Sequence, residues 1–568
     1  MAVLFVALAA AVMARAAPVR HGAPMPAAFS ADEVDVVARA LLMARGDLLP
    51  LHADKPTFTH LLLAGSYAGL YAVRWAGSAG SYTLEDFERD FFLAPFPFYL
   101  AGRTISLLAS LGTLALLAWL LRGRPAWAAA GGVLLLAWGG STIHYAHVAK
   151  EDALGTLLAF ASFAAAAVHL RSRPAEGADW KQAPLLASAV FAGLAVSTKY
   201  NLFFAGLFPL VAWWCSGGRW RPFLAVAVAG FAGFALGTPA VVANPGHYFR
   251  ETLSAPILTQ VAGGYNILQY SENRGPGFLW QIAWREWGPG LAALAVGLVA
   301  FAWRVREHAM RLLFFLPAGV YAAVLAVSSQ LDFHYALPLA PIMAWAAAEG
   351  FARLAPDSPE AGRLAGPALA VGALSVVAMV AWSGERTWQV RQDLREGDAR
   401  LRAAAFLQED LGLADAPPER PLLILSNYAY RYHPAVALDR ESYERLLAET
   451  LAAGGSGRYF ERAARYAAEA EQTPLPARFL AFDTRFWVQP DGTREFAPQR
   501  FPLDPEEYAG DFSLVIVPSH TTRLLEFDAP EFRDVQDFIR AMVEMPLVAE
   551  FTQHAALGPS VSIHKAPD

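Results

Sequence analysis

Charge is scarce in this chain of 568 residues. Asp, Glu, Lys and Arg make up 17%, against about 25% in an average soluble domain, while 55% are apolar or aromatic. Cysteine is almost absent. Cys215 stands alone in an apolar run beside Trp213 and Trp214, which excludes a disulfide framework and leaves the redox compartment open. Lysine is nearly missing too, with 5 Lys against 40 Arg. An excess of positive charge is also lacking: the net charge of −6 argues against a nucleic-acid partner. There is no Walker-type loop, no GxGxxG and no metal-spaced Cys/His cluster. No internal repeat is visible.

What charge there is falls unevenly. About 30 of the 51 acidic residues follow Gly384, so the chain divides into a lipid-embedded part, 1–384, and a soluble domain, 385–568. Apolar segments near 97–121, 126–143, 152–170, 183–198, 200–216, 222–243, 287–303, 311–328, 334–352 and 364–383 have the length and composition of spans. Residues 2–17 add an eleventh. They are short for a span and Ala14-Arg15-Ala16 resembles a signal-peptide cleavage site, but no basic segment precedes them, so a first transmembrane helix is the better reading. Residues 59–77, with Arg74 and several glycines, read as a helix lying in the interface, a true span being the alternative. The fold class expected is a polytopic α-helical membrane protein of about eleven spans. In the tail, 421–426, 512–519 and 560–565 read as buried strands. Stretches near 386–411, 441–453, 457–472 and 531–543 read as helices, giving a C-terminal soluble α/β domain.

Sidedness follows from the loops. Arg122/Arg124, Arg171/Arg173/Lys181, Arg219/Arg221, Arg304/Arg306/Arg311 and Arg353/Arg363 fall in every second loop, the cytoplasmic pattern of the positive-inside rule. The other set comprises a first outer loop, 20–96, then 144–151, around 199, 244–286 and 329–333. An odd number of spans puts the C-terminal domain on that outer side of an inner or plasma membrane. Against this bias, Lys55, Lys150 and Lys199 all sit at span ends on the outer side. Ionisable residues at membrane depth are candidates for function; snorkelling anchors are the alternative for any one of them.

The outer loops carry a recurring chemistry. Ser30 and Glu33 stand at the capping-box spacing, and Asp32-Glu33 open an amphipathic helix with Val36, Val37, Ala40, Leu41 and Ala44 on one face. Gly46 stops it, and His52-Ala-Asp54-Lys55-Pro56 follows. Carboxylates recur as Glu151, Asp152 and Asp332, histidines as His144, His147 and His334, and Arg103 lies inside an apolar span, where a cation is expensive. Group transfer from a phosphate-linked donor needs these types: a carboxylate to take the acceptor's hydroxyl proton and cations to neutralise the departing phosphate. The plainer reading of a carboxylate pair opening a helix is a cap. Likewise Asn427-Tyr428-Ala-Tyr430-Arg431-Tyr432, which has the types to bind a sugar or peptide, is more often a packed strand end.

These residues resemble the motifs of the GT-C glycosyltransferases of family 39, the group of polyprenyl- and dolichyl-phosphate-mannose protein mannosyltransferases, with the aminoarabinose transferases as close relatives. Asp32-Glu33 matches the acidic motif of the first outer loop. His52-Ala-Asp54-Lys55-Pro56-Thr57-Phe58 is similar to the KPPL segment, with Thr57 where the second proline is usual. Gly102-Arg103-Thr-Ile-Ser106 resembles the arginine motif. Ala149-Lys150-Glu151-Asp152 resembles the second acidic motif, with Lys150 in place of Arg. Ser197-Thr198-Lys199-Tyr200, Phe333-His334-Tyr335-Ala336-Leu337-Pro338 and the tail 558–563 are softer matches. The resemblance implies an inverting transfer of a sugar from a polyprenyl-phosphate donor to a hydroxyl of a lipid, glycan or protein acceptor on the extracytoplasmic face. It makes Asp32 the general base, Glu33 the residue orienting Asp32 or the acceptor, and Asp152 a shaper of the site or a ligand of a divalent cation where one is used. Lys55 and Arg103 would hold the lipid phosphate, with Lys199 and Lys150 as further cations. His52, His334 and Tyr335 complete the substrate-binding candidates. On this reading Arg103→Ala leaves insertion and folding intact, since the span becomes more apolar.

Three other classes compete. A transporter or flippase of lipid-linked sugars places its charges near the midplane and shows two similar halves; here the charges crowd one face. A polysaccharide polymerase or ligase would carry one large late outer loop without the early acidic and Lys-Pro segments. A non-catalytic scaffold presenting the soluble domain is separated from an enzyme by the activity of Asp32→Asn.

Overall fold

The computed structural model describes residues 2–20, 31–44, 56–172, 182–252, 264–266, 276–327, 333–354, 365–426, 436–452, 458–469, 473–482, 485–488, 494–496, 505–526, 532–553 and 560–567. Among the described residues six helices are long and apolar enough to cross a membrane: Phe96–Leu120, Glu151–Arg171, Trp220–Gly237, Leu279–Arg304, His308–Ala326 and Gly366–Gln389. Ala126–Ala137, Ala183–Val196 and Tyr200–Cys215 are shorter apolar helices beside them. Large apolar side chains face outward along these helices: Leu236, Val228, Trp303 and Leu374 are all more than half exposed. Water would penalise such a surface, whereas lipid solvates it. The chain is an integral membrane protein.

In chain order the helices are α1 (Ala2–Ala16), α2 (Ala31–Ala44), α3 (Phe58–Gly77), α4 (Leu84–Leu93), α5 (Phe96–Leu120), α6 (Ala126–Ala137), α7 (Gly140–His144), α8 (Glu151–Arg171), α9 (Ala183–Val196), α10 (Leu207–Cys215) and α11 (Trp220–Gly237). Then follow α12 (Pro276–Trp287), α13 (Leu291–Arg304), α14 (His308–Val327), α15 (Ala340–Arg353) and α16 (Ala365–Glu396). Helix α8 is the pivot: 78% of its apolar window is buried, against 17% for α11 and 22% for the last span. Its alanines let neighbours approach closely, as expected where packing replaces the hydrophobic effect. Phe163 of α8 packs edge-on against Trp345 of α15 and Phe208 of α10. At the end of α8, buried Glu349 of α15 binds Arg171 at 2.6 Å and Arg124 at 2.9 Å, so part of the basic-loop charge closes the bundle.

Helix α16 runs 32 residues, straight through Gly384, and stops only at Gly397, which has φ +82°. The composition change at residue 384 therefore marks where this helix turns polar, not where it ends. Beyond it, α17 (Ala399–Ala405), α18 (Arg440–Ala452), α19 (Arg458–Tyr466) and α20 (Arg533–Glu544) accompany a five-stranded sheet. Besides β1 (Gly264–Asn266), which precedes α12, the strands are β2 (Leu422–Ser426), β3 (Ala477–Ala481), β4 (Arg485–Val488), β5 (Arg494–Phe496), β6 (Leu514–Pro518), β7 (Leu547–Phe551) and β8 (Val561–Lys565). The sheet order is β3-β2-β6-β8-β7, with β2 parallel to β3 and β6, and β8 antiparallel to β6 and β7. Leu422 and Ile424 enter one core and Leu423 and Leu425 the other. Burial of both faces explains an unbroken apolar run instead of an alternating one.

The first outer loop touches this tail. Buried Glu88 of α4 binds Arg462 of α19 at 3.1 Å, and Phe92 stacks on Tyr466. Strand β1 pairs antiparallel with β4, tying the segment before α12 to the same domain.

His520 follows β6 and gives the tail a pH dependence. Burial pushes its imidazole down to about 3, helped by Arg400 and Arg523. The unfolded chain protonates it near its ordinary value of about 6.5. Between those values the unfolded state binds more protons, so this contribution is full above about pH 6.5 and lost as pH falls toward 3. The slope is at most about 1.4 kcal/mol per pH unit. Urea unfolding of the full chain, read by a fluorophore on Asp511→Cys in a Cys215→Ser background, should show the midpoint dropping from pH 6.5 to 5. His520→Asn should flatten that drop; an unchanged drop removes His520 as its source.

Candidate active site

The site forms where α6 breaks. Gly139 and Gly140 end the helical run, α7 makes little more than one turn, and the backbone loops through 145–149 before α8 starts. Lys150 is the extended residue before α8, and Glu151 and Asp152 occupy its first turn, where carboxylates suit the helix dipole. The hydroxyl of Ser106 on α5 donates to the carbonyls of Val148 at 2.6 Å and Lys150 at 3.3 Å, fixing the loop against α5.

Asp152 is 4% exposed. Its Oδ1 lies 2.6 Å from Lys199 Nζ and its Oδ2 3.7 Å from Lys150 Nζ, so one carboxylate answers two ammonium groups. Lys199 comes from the turn after α9 and retains 14% side-chain exposure. Its Nζ lies 4.7 Å from the Tyr335 ring centroid, within cation–π range. The Tyr335 carbonyl accepts the Tyr321 hydroxyl at 2.5 Å, which in turn accepts from Asn201 Nδ2 at 2.8 Å. His334 Nδ1 is 3.5 Å from the Tyr145 hydroxyl, and Lys150 Nζ is 6.0 Å from the Tyr145 ring. Thus Lys150, Asp152, Lys199, His334 and Tyr335, drawn from three separated stretches of sequence, converge at the head of α8. Glu151 is buried as well and forms no ion pair with either lysine among the described residues.

Arg103 and Glu33 are paired with each other. Both side chains are fully buried, with Nε to Oε1 at 3.1 Å and Nη2 to Oε2 at 3.2 Å. Glu33 Oε1 also accepts the N–H of Ala149 at 2.7 Å. A Cβ on Gly102 would fall 2.7 Å from the Ala149 Cβ, so glycine lets α5 come close enough for this three-way contact. Among the described residues the Arg103 fork meets both oxygens of Glu33, and Glu33 also holds the loop before Lys150 through the Ala149 amide. Their job here is to pin α2 beside Lys150. Burial of a charged pair demands such mutual satisfaction.

Asp32 lies in the first turn of α2, one residue before this anchor; its side chain, with His52 and Lys55, falls outside the described residues. The chain just after Lys55 is placed: Phe58 N–H donates to the Ser197 carbonyl at 3.0 Å, and buried Thr57 Oγ1 donates to the Gly237 carbonyl at 2.8 Å. The threonine that replaces the usual proline therefore makes a bond proline could not. This brings the Lys-Pro segment's end to the turn that carries Lys199.

Among the described residues no group of three His, Cys, Asp or Glu could hold a metal ion. At Asp152 a divalent cation would have to displace Lys199 and face Lys150, so that carboxylate's surroundings do not fit one.

Sequence reasoning missed Arg15 and Glu286. Arg15 is fully buried, donating to the carbonyls of Ala11, Leu136 and Ala137 and to the hydroxyls of Ser110 and Thr142. Glu286 is 4% exposed and accepts the Ser141 N–H at 2.7 Å. An arginine inside an apolar helix, and a glutamate in the aromatic run Trp280–Trp287, were the available signals.

No family model matches the chain, and no curated protein does. Among solved structures it is similar to ArnT from Cupriavidus metallidurans in the apo state, at 14% identity and TM-score 0.48 over 99% of this chain and 97% of that one. It is similar to the same protein bound to undecaprenyl phosphate, at 13% identity and TM-score 0.46 over 99% and 96%. The archaeal oligosaccharyltransferase AglB from Archaeoglobus fulgidus, in complex with an inhibitory peptide and a dolichol-phosphate, aligns at 11% identity and TM-score 0.43 over 99% and 88%.

Proposed function

We propose that the protein is a membrane glycosyltransferase of the GT-C kind that moves a sugar from a polyprenyl-phosphate donor to an acceptor hydroxyl on the extracytoplasmic side. The observation that carries this is the grouping of Lys199 and Lys150 around Asp152 at the head of α8. A carboxylate holding two ammonium groups at a span end presents positive charge at the depth of a lipid headgroup phosphate. The motif resemblance supplies the remaining roles. The acceptor oxygen attacks the anomeric carbon from the face opposite the phosphate, and its proton passes to the Asp32 carboxylate. The bond from the anomeric carbon to the phosphate oxygen breaks, and polyprenyl phosphate leaves with the electron pair. Lys199 and Lys150 neutralise that oxygen's growing charge; Asp152 holds them in place. Glu33 and Arg103 keep Asp32 beside them.

The deciding experiment is transfer of a labelled sugar from undecaprenyl- and dolichyl-phosphate donors by purified protein in vesicles, with mass spectrometry of the products. Lys199→Ala should lower transfer by about ten- to a thousandfold, the scale of losing a charge-stabilising contact, with Lys199→Arg recovering part of it. Wild-type transfer by Lys199→Ala would remove the phosphate role.

Sidedness is tested separately. In a Cys215→Ser background, Arg122→Cys and Asp511→Cys, both at exposed positions, should react with an impermeant thiol reagent from opposite sides of sealed vesicles. Reaction from the same side would overturn the topology.

A further inference from the structure

The break between α6 and α7 is gripped from three sides by polar side chains that take no part in the chemistry above. Arg15, from α1, donates to the carbonyls of Ala137 at 2.7 Å and Leu136 at 3.3 Å and to Thr142 Oγ1 at 3.4 Å. Ser383, from α16, donates to the carbonyl of Trp138 at 2.8 Å. Glu286, near the end of α12, accepts the Ser141 N–H at 2.7 Å. Helix α7 has Gly139 at its N-cap, with no side chain to satisfy its first amides. Glu286 does from another helix what an N-cap side chain does locally. The fit is close: a Cβ on Gly139 would lie 2.0 Å from Glu286 Oε1. Arg15 and Glu286 are near enough for their opposite charges to stabilise each other across Thr142.

We infer that Glu286 is a positioning residue for the site at the head of α8. The inference rests on the transferase reading of that site for its kinetic consequence only. Tyr145 is the fourth residue after Ser141, and Lys150 the ninth. Past α7 the backbone turns without long helical restraint until α8 begins, so the anchoring of its start decides where Tyr145 and Lys150 fall. Glu286 also closes α12. A shift of that helix is thereby passed to the segment that carries Lys150. A carboxylate is suited to this task because it accepts the Ser141 N–H, and Gly139 leaves the room it needs.

The test uses the full chain with Cys215→Ser and a reporter His144→Cys on α7, alkylated by a thiol reagent in detergent. A control reporter Ser172→Cys sits at the far end of α8. Glu286→Ala should speed alkylation at residue 144 at least tenfold and leave residue 172 unchanged. Glu286→Gln, which keeps an oxygen for Ser141, should restore the slow rate. Gly139→Ala, which pushes on the same carboxylate with Glu286 intact, should reproduce the fast rate and serves if Glu286→Ala does not fold. In transfer assays without the reporter, Glu286→Ala should lower kcat at least tenfold and Glu286→Gln should recover most of it. Unchanged alkylation in both Glu286→Ala and Gly139→Ala overturns the proposal, as does equal acceleration at residue 172, which marks general loosening. If the wild-type protein transfers no sugar, the transferase reading fails while the alkylation rates still decide the role of Glu286.

Discussion

Arg103→Ala should destabilise the protein by about 3–5 kcal/mol, the cost of leaving a buried charge without its partner. Glu33 would lose both of its guanidinium bonds while its side chain stays buried, at 0% exposure. The expectation from hydropathy alone runs the other way, since alanine makes the span more apolar. It fails because the guanidinium is not exposed to lipid; it satisfies a carboxylate on another helix. Thermal unfolding in detergent, followed by light scattering, measures the loss. The double variant Glu33→Gln, Arg103→Leu should regain much of it, because removing both charges also removes both desolvation penalties. An Arg103→Ala protein that melts like the wild type yet transfers no sugar would return the guanidinium to the substrate.

That pair shows what a sequence can and cannot disclose here. Arg103 stood out because an arginine within an apolar helix is costly, and Glu33 because it opens a helix. Their 70-residue separation hid the bond that explains both. The lysines are the opposite case. Positive-inside bias makes Lys150 and Lys199 conspicuous, and both stand at Asp152. Helices α5, α8 and α14 were legible as long apolar runs. The start of α12 was not, because its tryptophans, Arg285 and Glu286 lower the hydropathy of a helix that continues into α13. Strands β3 and β7 escaped for another reason. Each lies at an edge of the sheet, and in β7 Leu547 and Val548 are exposed while Ala549 is partly covered, which breaks the alternation that reveals a strand. Glu286 was invisible as an anchor because its partner is a backbone amide, and no residue type marks that.

Asp32→Asn should reduce transfer by about 10²–10⁴, the usual worth of a general base, while leaving the fold intact. Two carboxylates compete for this role, and their surroundings separate them. Asp152 lies 2.6 Å from Lys199 and near Lys150, and is 4% exposed. A proton placed on it would break up the arrangement that holds both lysines. It is suited to holding charge and poorly suited to cycling a proton. The anchoring of α2 to Arg103 and Ala149 is done by Glu33. The bonds of Glu33 fix the first turn of α2 beside Lys150, so Asp32→Asn leaves this anchor in place. The two variants should therefore differ in kind. Asp32→Asn should melt within a few degrees of wild type and lose turnover. Asp152→Asn should lose stability along with turnover, because two buried ammonium groups lose their counter-charge. If Asp32 serves only as part of the helix start, its replacement costs about 1 kcal/mol and leaves transfer per folded molecule near normal. Sugar transfer from a defined polyprenyl-phosphate donor, normalised to folded protein, separates these outcomes, and near-normal transfer by Asp32→Asn would move the search for the base to Glu151, which is buried and forms no ion pair among the described residues.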